Sequence, residues 1–343
     1  MMARAPGKLV VSGAYSVLEG APAIVVAVDR YALADTAREA DRVTDEVRAA
    51  IEQHAMKKAA WFDASALRAT LADGRDVKLG LGSSAAILVA SIAAAWAIED
   101  RTLDPRAMFQ AALAAHRTAQ GGGSGIDVAA SVFGGALVCR LARDPRPSSP
   151  YTGPPSSAPP PAPSSNGPRS SRRDVGLAVS PHDLPAGLVL ECFASPVSSS
   201  TPDLVGRVRA FAESQPDDYL RIIGEAAAAA STAVYAATPA ELVAQLRIQA
   251  RALSALGDAA GAPIFTPDVV ALARIAEEEG AIFYPSGAGG GDVALFAGAK
   301  AASDRFRSEA EALGRFHLPL RTGVPGVHLV STGSPSGAVS IAL

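Results

Sequence analysis

The chain has 343 residues, with 31 basic and 34 acidic side chains and a net charge of -3. Hydrophobic residues make up 49% of it and charged residues 19%, which excludes wholesale disorder, and near-neutrality removes any global attraction to nucleic acid or an anionic membrane. Aromatics are only 5%, so the core must rest mainly on Ala, Val, Leu and Ile, and two cysteines, Cys139 and Cys192, offer no disulfide framework and no CxxC metal pattern.

In chain order, Lys8–Ser12 reads as a short strand broken at Gly13, and Ala23–Val28 as a second apolar strand. Thr44–Ala60 has helical spacing. Ala85–Glu99 reads as a buried Ala-rich helix opened by a Gly/Ser turn, too short and too weakly apolar to span a bilayer. Pro105–Gln120 is a further helix, with Asp104 as N-cap and Pro105 at its first position. Gly135–Leu141 reads as a strand. Between Pro145 and Pro168 there are ten prolines in 24 residues, so 144–174 reads as a disordered, Pro/Ser-rich insertion. It is either an interdomain linker or an expanded surface hairpin. The hairpin is preferred, with Asp174–Val179 as the antiparallel partner of the strand before it. Gly187–Phe193 is a strand candidate. Thr201–Glu213, Asp218–Tyr235, Pro239–Leu256 and Pro267–Gly280 read as helices. Strands at Ala281–Tyr284 and Val293–Phe296, a helix at Ala301–Leu313 and a strand near Gly326–Val330 complete the chain. Runs of both element types imply an α+β fold rather than a doubly wound sheet, and the length suits two domains.

Three small-residue loops carry the chemical signal. Gly80-Leu-Gly-Ser-Ser-Ala-Ala86 directly precedes a helix, where backbone N–H groups and the positive helix end can face an anion. Ser83 and Ser84 add hydroxyls for phosphate or Mg2+. The loop lacks the Gly-Lys-[Ser/Thr] of a Walker sequence and the third glycine of a dinucleotide fingerprint. An ordinary helix cap is the plain alternative. Pro285-Ser-Gly-Ala-Gly-Gly-Gly-Asp292 lies between two strands and has five small residues in a row. Such a loop lets a ligand approach the backbone closely, or is simply a flexible hairpin turn. Gln120-Gly-Gly-Gly-Ser-Gly-Ile-Asp127 ends in one acid, which either caps a helix or points into a site. Lys8, closing Ala5-Pro-Gly-Lys8, is the natural cation beside phosphate-cradling loops.

Ala5–Lys8, Gly80–Ala86 and Ser286–Asp292 occur in the order of the three motifs of the GHMP small-molecule kinases, and the chain resembles that family from about residue 3 to 330, the insertion excepted. The finer details are similar to its phosphomevalonate kinase subfamily. These are Lys78 before the second motif, the run from His116 through Gln120–Ala130, Asp292 closing the third motif, Ser198–Thr201, and Pro263–Pro267. Two positions depart from the pattern: Ala14 stands where Glu is frequent, and Tyr284 near a position where Lys is common.

The resemblance implies a two-domain GHMP kinase fold. Residues 1–195 would form a domain like the second domain of ribosomal protein S5, and 196–343 a ferredoxin-like domain. It implies ATP phosphates around Gly80, Leu81, Gly82, Ser83, Ser84 and Ala85, with Ser84 near Mg2+. Lys8 and Asp127 would be catalytic, and Ser286, Gly287, Ala288, Gly289, Gly290 and Asp292 would line the acceptor. The implied reaction is ATP-dependent phosphorylation of (R)-5-phosphomevalonate to 5-diphosphomevalonate in isoprenoid synthesis. If the acceptor is a phosphomonoester, its second pKa is roughly 6, so it needs no strong base, and Asp127 would orient Lys8 or coordinate Mg2+. Lys78 and Arg117 are further candidate cations for two facing phosphates. Mevalonate kinase, a mevalonate-diphosphate-type decarboxylase and a silent scaffold are the alternatives. The presence of both Lys8 and Asp127 speaks against the last. The expected setting is cytoplasmic, as a monomer or homodimer with small-molecule partners only.

Overall fold

The computed structural model describes residues 1–70, 76–141, 176–196 and 201–330. The insertion 144–174 and residues 198–200 lie outside the described residues.

The chain opens with a long antiparallel pair, β1 (Met2–Ser12) and β2 (Ala23–Asp35), joined by a short helical turn at Ser16–Glu19. Helix α1 (Asp45–Glu52) starts at Thr44, whose hydroxyl accepts from the Val47 N–H at 3.3 Å. It stops well short of Ala60. His54 turns into the left-handed region at φ 56, and Ala55 and Met56 fold into the core. There the Ala55 carbonyl accepts from the Trp96 indole at 2.7 Å, a tertiary bond that outbids helix continuation.

Short strands β3 (Trp61–Asp63), β4 (Arg68–Thr70) and β5 (Asp76–Lys78) lead into α2 (Ser83–Ile98). Every residue of α2 from Ala85 to Trp96 is buried, so this helix is apolar on all sides and its N-terminus is rigidly placed. Helix α3 (Pro105–Gln120) begins as expected, with Asp104 accepting from the N–H groups of Arg106 and Ala107. Helix α4 (Ile126–Phe133) follows the glycine-rich 121–125 segment. Strands β6 (Ala136–Leu141) and β7 (Leu177–Pro181) pair antiparallel with Leu141 opposite Leu177, so the proline-rich segment connects the two arms of one hairpin.

Strand β8 (Val189–Ala194) precedes four helices, α5 (Thr201–Ser214), α6 (Pro216–Ala233), α7 (Pro239–Ala260) and α8 (Pro267–Glu278). Three of them begin on proline, which costs nothing where the N–H has no helical partner. Then come β9 (Ile282–Pro285), β10 (Val293–Gly298), α9 (Asp304–Ala312), β11 (Phe316–Leu318) and β12 (His328–Val330).

One sheet has the order β12-β1-β2-β6-β7 with β3 added on β2, and α2 and α4 pack on it. A second has the order β11-β8-β10-β9, packed by α8 and α9. Sheet membership crosses residue 195 in both directions: β8 lies in the second sheet, and β12 returns to pair with β1 in the first. The first core is aliphatic and Ala-rich, as the composition implies. The second gathers Phe193, Phe283, Phe296 and Phe306 into edge-to-face contacts at 5.0–5.7 Å.

Candidate active site

Strand β1 does two jobs along its length. Its far end is fastened to the second half of the chain by side chains from α7, β9 and the third glycine loop. Ser286 Oγ accepts from the Val10 N–H at 2.9 Å and donates to the Val10 carbonyl at 3.1 Å. The Tyr284 hydroxyl donates to the Val11 carbonyl at 2.7 Å. Gln249 Oε1 accepts from Ser12 Oγ at 3.1 Å and from the Gly13 N–H at 2.9 Å. The Tyr15 hydroxyl reaches the Ala288 carbonyl at 2.7 Å. The seam between the two halves is therefore polar and hydrogen-bonded at these points, which fixes its register more sharply than apolar packing would, although the Gln249 Nε2 is buried without a partner.

Lys8 sits just before this seam. Its backbone N–H donates to the Leu81 carbonyl at 2.9 Å, and its ammonium donates to the Gly80 carbonyl at 3.1 Å. The second motif is thus stitched to the first. Gly82, at φ +78, is the N-cap of α2 and, having no side chain, offers that helix no cap of its own, an arrangement that lets its leading N–H groups face an anion. A Cβ on Gly82 would stand 3.2 Å from Lys8 Cγ and 3.5 Å from Asp127 Cβ. A Cβ on Gly80 would be 2.8 Å from Asp292 Cβ, so the second and third motifs also touch. From the third loop, a Cβ on Gly287 would be 3.8 Å from Lys8 Nζ. Lys8 is therefore the point on which two of the glycine loops and Asp127 converge.

Burial holds the Lys8 ammonium below the ordinary lysine range, opposed by the negative charges of Asp127 and Asp292. Such a group gains more from an incoming anion than a solvated lysine does. Asp127 lies in the first turn of α4, with Oδ1 accepting from the Val128 N–H at 2.9 Å and Oδ2 3.4 Å from His116 Nε2. It faces the site rather than serving only as a cap. Cys192 is close enough to feel Lys8, Arg30 and Arg315, but burial pushes its thiol up to about 12, so it is no nucleophile near neutral pH.

The third loop is held from behind. The Gly290 N–H donates to the Ile264 carbonyl at 3.1 Å, and Ser286 N–H to the Val293 carbonyl at 3.0 Å. Arg315, 2% exposed, pairs with Asp268 and donates to the carbonyls of Gly291 at 3.3 Å and Phe193 at 3.4 Å. Gly287, Ala288, Gly289 and Gly290 thus present a fixed backbone. Ser286 itself is 6% exposed, and its hydroxyl is spent on β1. Tyr284 is likewise a strut, not an empty cation position, and Ala14 packs between two hydrophobic clusters. Ser83 and Ser84 are partly exposed in the first turn of α2, and Leu81 and Ala85 are buried behind them. Lys78 stands exposed on the β4–β5 ribbon and Arg117 is half-buried in the last turn of α3, whereas the charges felt at Lys8 come from Asp127, Asp292 and Cys192. Sequence reasoning did not find Tyr15, Gln249 or Arg315. Each acts through a contact distant in the chain, and none stands in a motif.

Residues 45–135 match the family described as GHMP kinases N terminal domain. A phosphomevalonate kinase from Streptomyces sp. (strain CL190) is 30% identical, over 94% of this chain and 97% of its own length. Among solved structures, a Lin0012 protein from Listeria innocua superposes with a TM-score of 0.73 at 24% identity, covering 96% of this chain and 99% of that one. Streptococcus pneumoniae phosphomevalonate kinase in complex with phosphomevalonate and AMPPNP gives 0.70 at 17% identity, covering 94% and 99%. With the motifs in order, one Lys at their meeting point and a full-length relative of this kind, the chain belongs to the GHMP kinase family, on its phosphomevalonate kinase side.

Proposed function

We propose that the chain transfers the terminal phosphoryl group of ATP to the phosphate of (R)-5-phosphomevalonate, giving 5-diphosphomevalonate and ADP. The observation that supports this reading is the meeting of two glycine loops and Asp127 at Lys8, in a chain with a full-length phosphomevalonate kinase relative. An acceptor phosphate oxygen forms the new P–O bond as the bond from the γ-phosphorus to ADP breaks.

Phosphoryl transfer asks a protein for position and charge rather than covalent chemistry. Gly80–Ala85 and the uncapped start of α2 supply N–H donors for the donor phosphates. Lys8 balances charge on the transferred group. The backbone of Gly287–Gly290, with Asp292, closes over the acceptor. No proton has to leave a phosphate dianion, so Asp127 works by orienting Lys8.

Among the described residues no group of three or more His, Cys, Asp or Glu side chains could hold a metal ion. Mg2+ would come carried on the nucleotide phosphates, and the Ser84 hydroxyl, partly exposed in the first turn of α2, would be its protein ligand. Bound there, Mg2+ would neutralise charge on the phosphate oxygens. Among the described residues no helix is long and apolar enough to cross a membrane.

The test is ADP release by purified protein with mevalonate, its 5-phosphate and its 5-diphosphate, with carbon dioxide followed in parallel. Turnover on the 5-phosphate alone supports the reading. Preference for mevalonate, or carbon dioxide release from the diphosphate, replaces it.

A further inference from the structure

We propose that His116 is a positioning residue for phosphoryl transfer, holding the Asp127 carboxylate in the one orientation that faces Lys8. This rests on the reading above only in taking Asp127 to act at the reacting groups.

His116 lies on the inner face of α3 and is 2% exposed. Its surroundings are those of a core position, yet it does not have a core histidine's bonding. Nε2 is 3.4 Å from Asp127 Oδ2, and Nδ1 is buried with no hydrogen-bond partner. A buried ring nitrogen left unbonded is a cost that an aliphatic side chain of similar volume would avoid. What the imidazole brings is a ring nitrogen 3.4 Å from the Asp127 carboxylate.

Asp127 has its other oxygen on the Val128 N–H. With a contact on each oxygen, rotating the carboxylate would give up one of them. Gly82 marks where it stands relative to Lys8. The Asp127 Cβ and the Lys8 side chain flank the same missing methyl.

A second carboxylate backs the imidazole. Glu46 of α1 is 7% exposed and accepts from Gln120 Nε2 at 3.2 Å, Gln120 being one turn beyond His116 on α3. Burial pushes the Glu46 carboxyl up, but hydrogen bonds from its own N–H, Gln120 and Thr44, and the His116 charge, bring it below the usual range. The imidazole thus sits on α3 in contact with the partly exposed Asp127 carboxylate of α4 and within electrostatic reach of the buried Glu46 carboxylate of α1.

The test uses two substitutions. His116→Leu fills the volume without a donor, and His116→Gln returns an N–H near the position of Nε2. His116→Leu is expected to lower kcat by about 30-fold with both KM values within about 3-fold, and His116→Gln to recover most of that loss. In an Asp127→Asn background, His116→Leu should cost less than about 2-fold more. An equal loss in both backgrounds, or no difference between Gln and Leu, overturns the proposal. A second arm needs no turnover. The protein has five histidines, so the His116 imidazole 15N resonances can be assigned by their loss in His116→Gln. Asp127→Asn must shift them, and unmoved resonances overturn the contact. This arm stands even if no acceptor is turned over, or if His116→Leu does not fold.

Discussion

Gly82→Ala separates backbone strain from site geometry. Gly82 caps α2 at φ +78, where an L side chain costs about 1–2 kcal/mol. The added methyl would lie 3.2 Å from Lys8 Cγ and 3.5 Å from Asp127 Cβ, tighter than ordinary contact on the Lys8 side. Lys8 can yield by a few tenths of an ångström, but its ammonium is already fixed at 3.1 Å to the Gly80 carbonyl. Displacement there also narrows the space in front of the helix N-terminus. A misplacement of this size costs on the order of 100-fold in rate, or about 2.7 kcal/mol of transition-state stabilisation. Gly261, the C-cap of α7, provides the matched control: its φ is +58, and a methyl there meets nothing within 4 Å. Thermal unfolding should show similar losses for Gly82→Ala and Gly261→Ala, while steady-state kinetics show a large fall only for the first. Gly82→Ala activity within about 3-fold of the native protein, or an equal activity loss in Gly261→Ala, would refute the reasoning.

Lys8→Met should abolish transfer without destabilising the fold. Burial lowers the Lys8 pKa, so between its folded value and the ordinary lysine value the folded state holds fewer protons than the unfolded one. Native stability therefore gains with rising pH through that window. Lys8→Met lacks this gain, so its Tm advantage should be greatest near neutrality and shrink as pH climbs. A Lys8→Met protein less stable than the native one at pH 7 would contradict this. Ser286→Ala leaves the Val10 N–H without its side-chain acceptor and should cost about 1–3 kcal/mol in denaturant unfolding. Tyr284→Phe removes only the bond to the Val11 carbonyl, should cost about 1 kcal/mol, and should leave acceptor preference unchanged. A changed preference would show that Tyr284 faces the acceptor after all.

The site's backbone was legible in the sequence because its demands are local. Gly80 is crowded by Asp292, Gly82 by Lys8 and Gly289 by the Ile264 backbone, and the positive φ of each marks it as glycine in the sequence. Helix starts at α3, α7 and α8 were equally local, marked by Asp104 and by prolines at first positions, whereas α6 begins at Pro216, two residues before the start read from the sequence. What escaped notice depends on long-range partners. The end of α1 is decided by Trp96 reaching back to Ala55. Strand β12 is three residues long, and only its pairing with Met2–Arg4 assigns it to the first sheet. Ser286 reads as a ligand contact in its motif, but its hydroxyl is taken by Val10, 276 positions away in the chain. Arg315 carries no local signal at all, because its meaning lies in Asp268 and the Gly291 carbonyl.

The central claim is that phosphate is placed on phosphate. Phosphorus-31 NMR of the product formed from ATP and (R)-5-phosphomevalonate tests it most directly. The account predicts two new, mutually coupled resonances of a diphosphate ester, appearing in step with ADP and absent in Lys8→Met. A single monoester resonance formed from mevalonate, with 5-phosphomevalonate left unchanged, would contradict it.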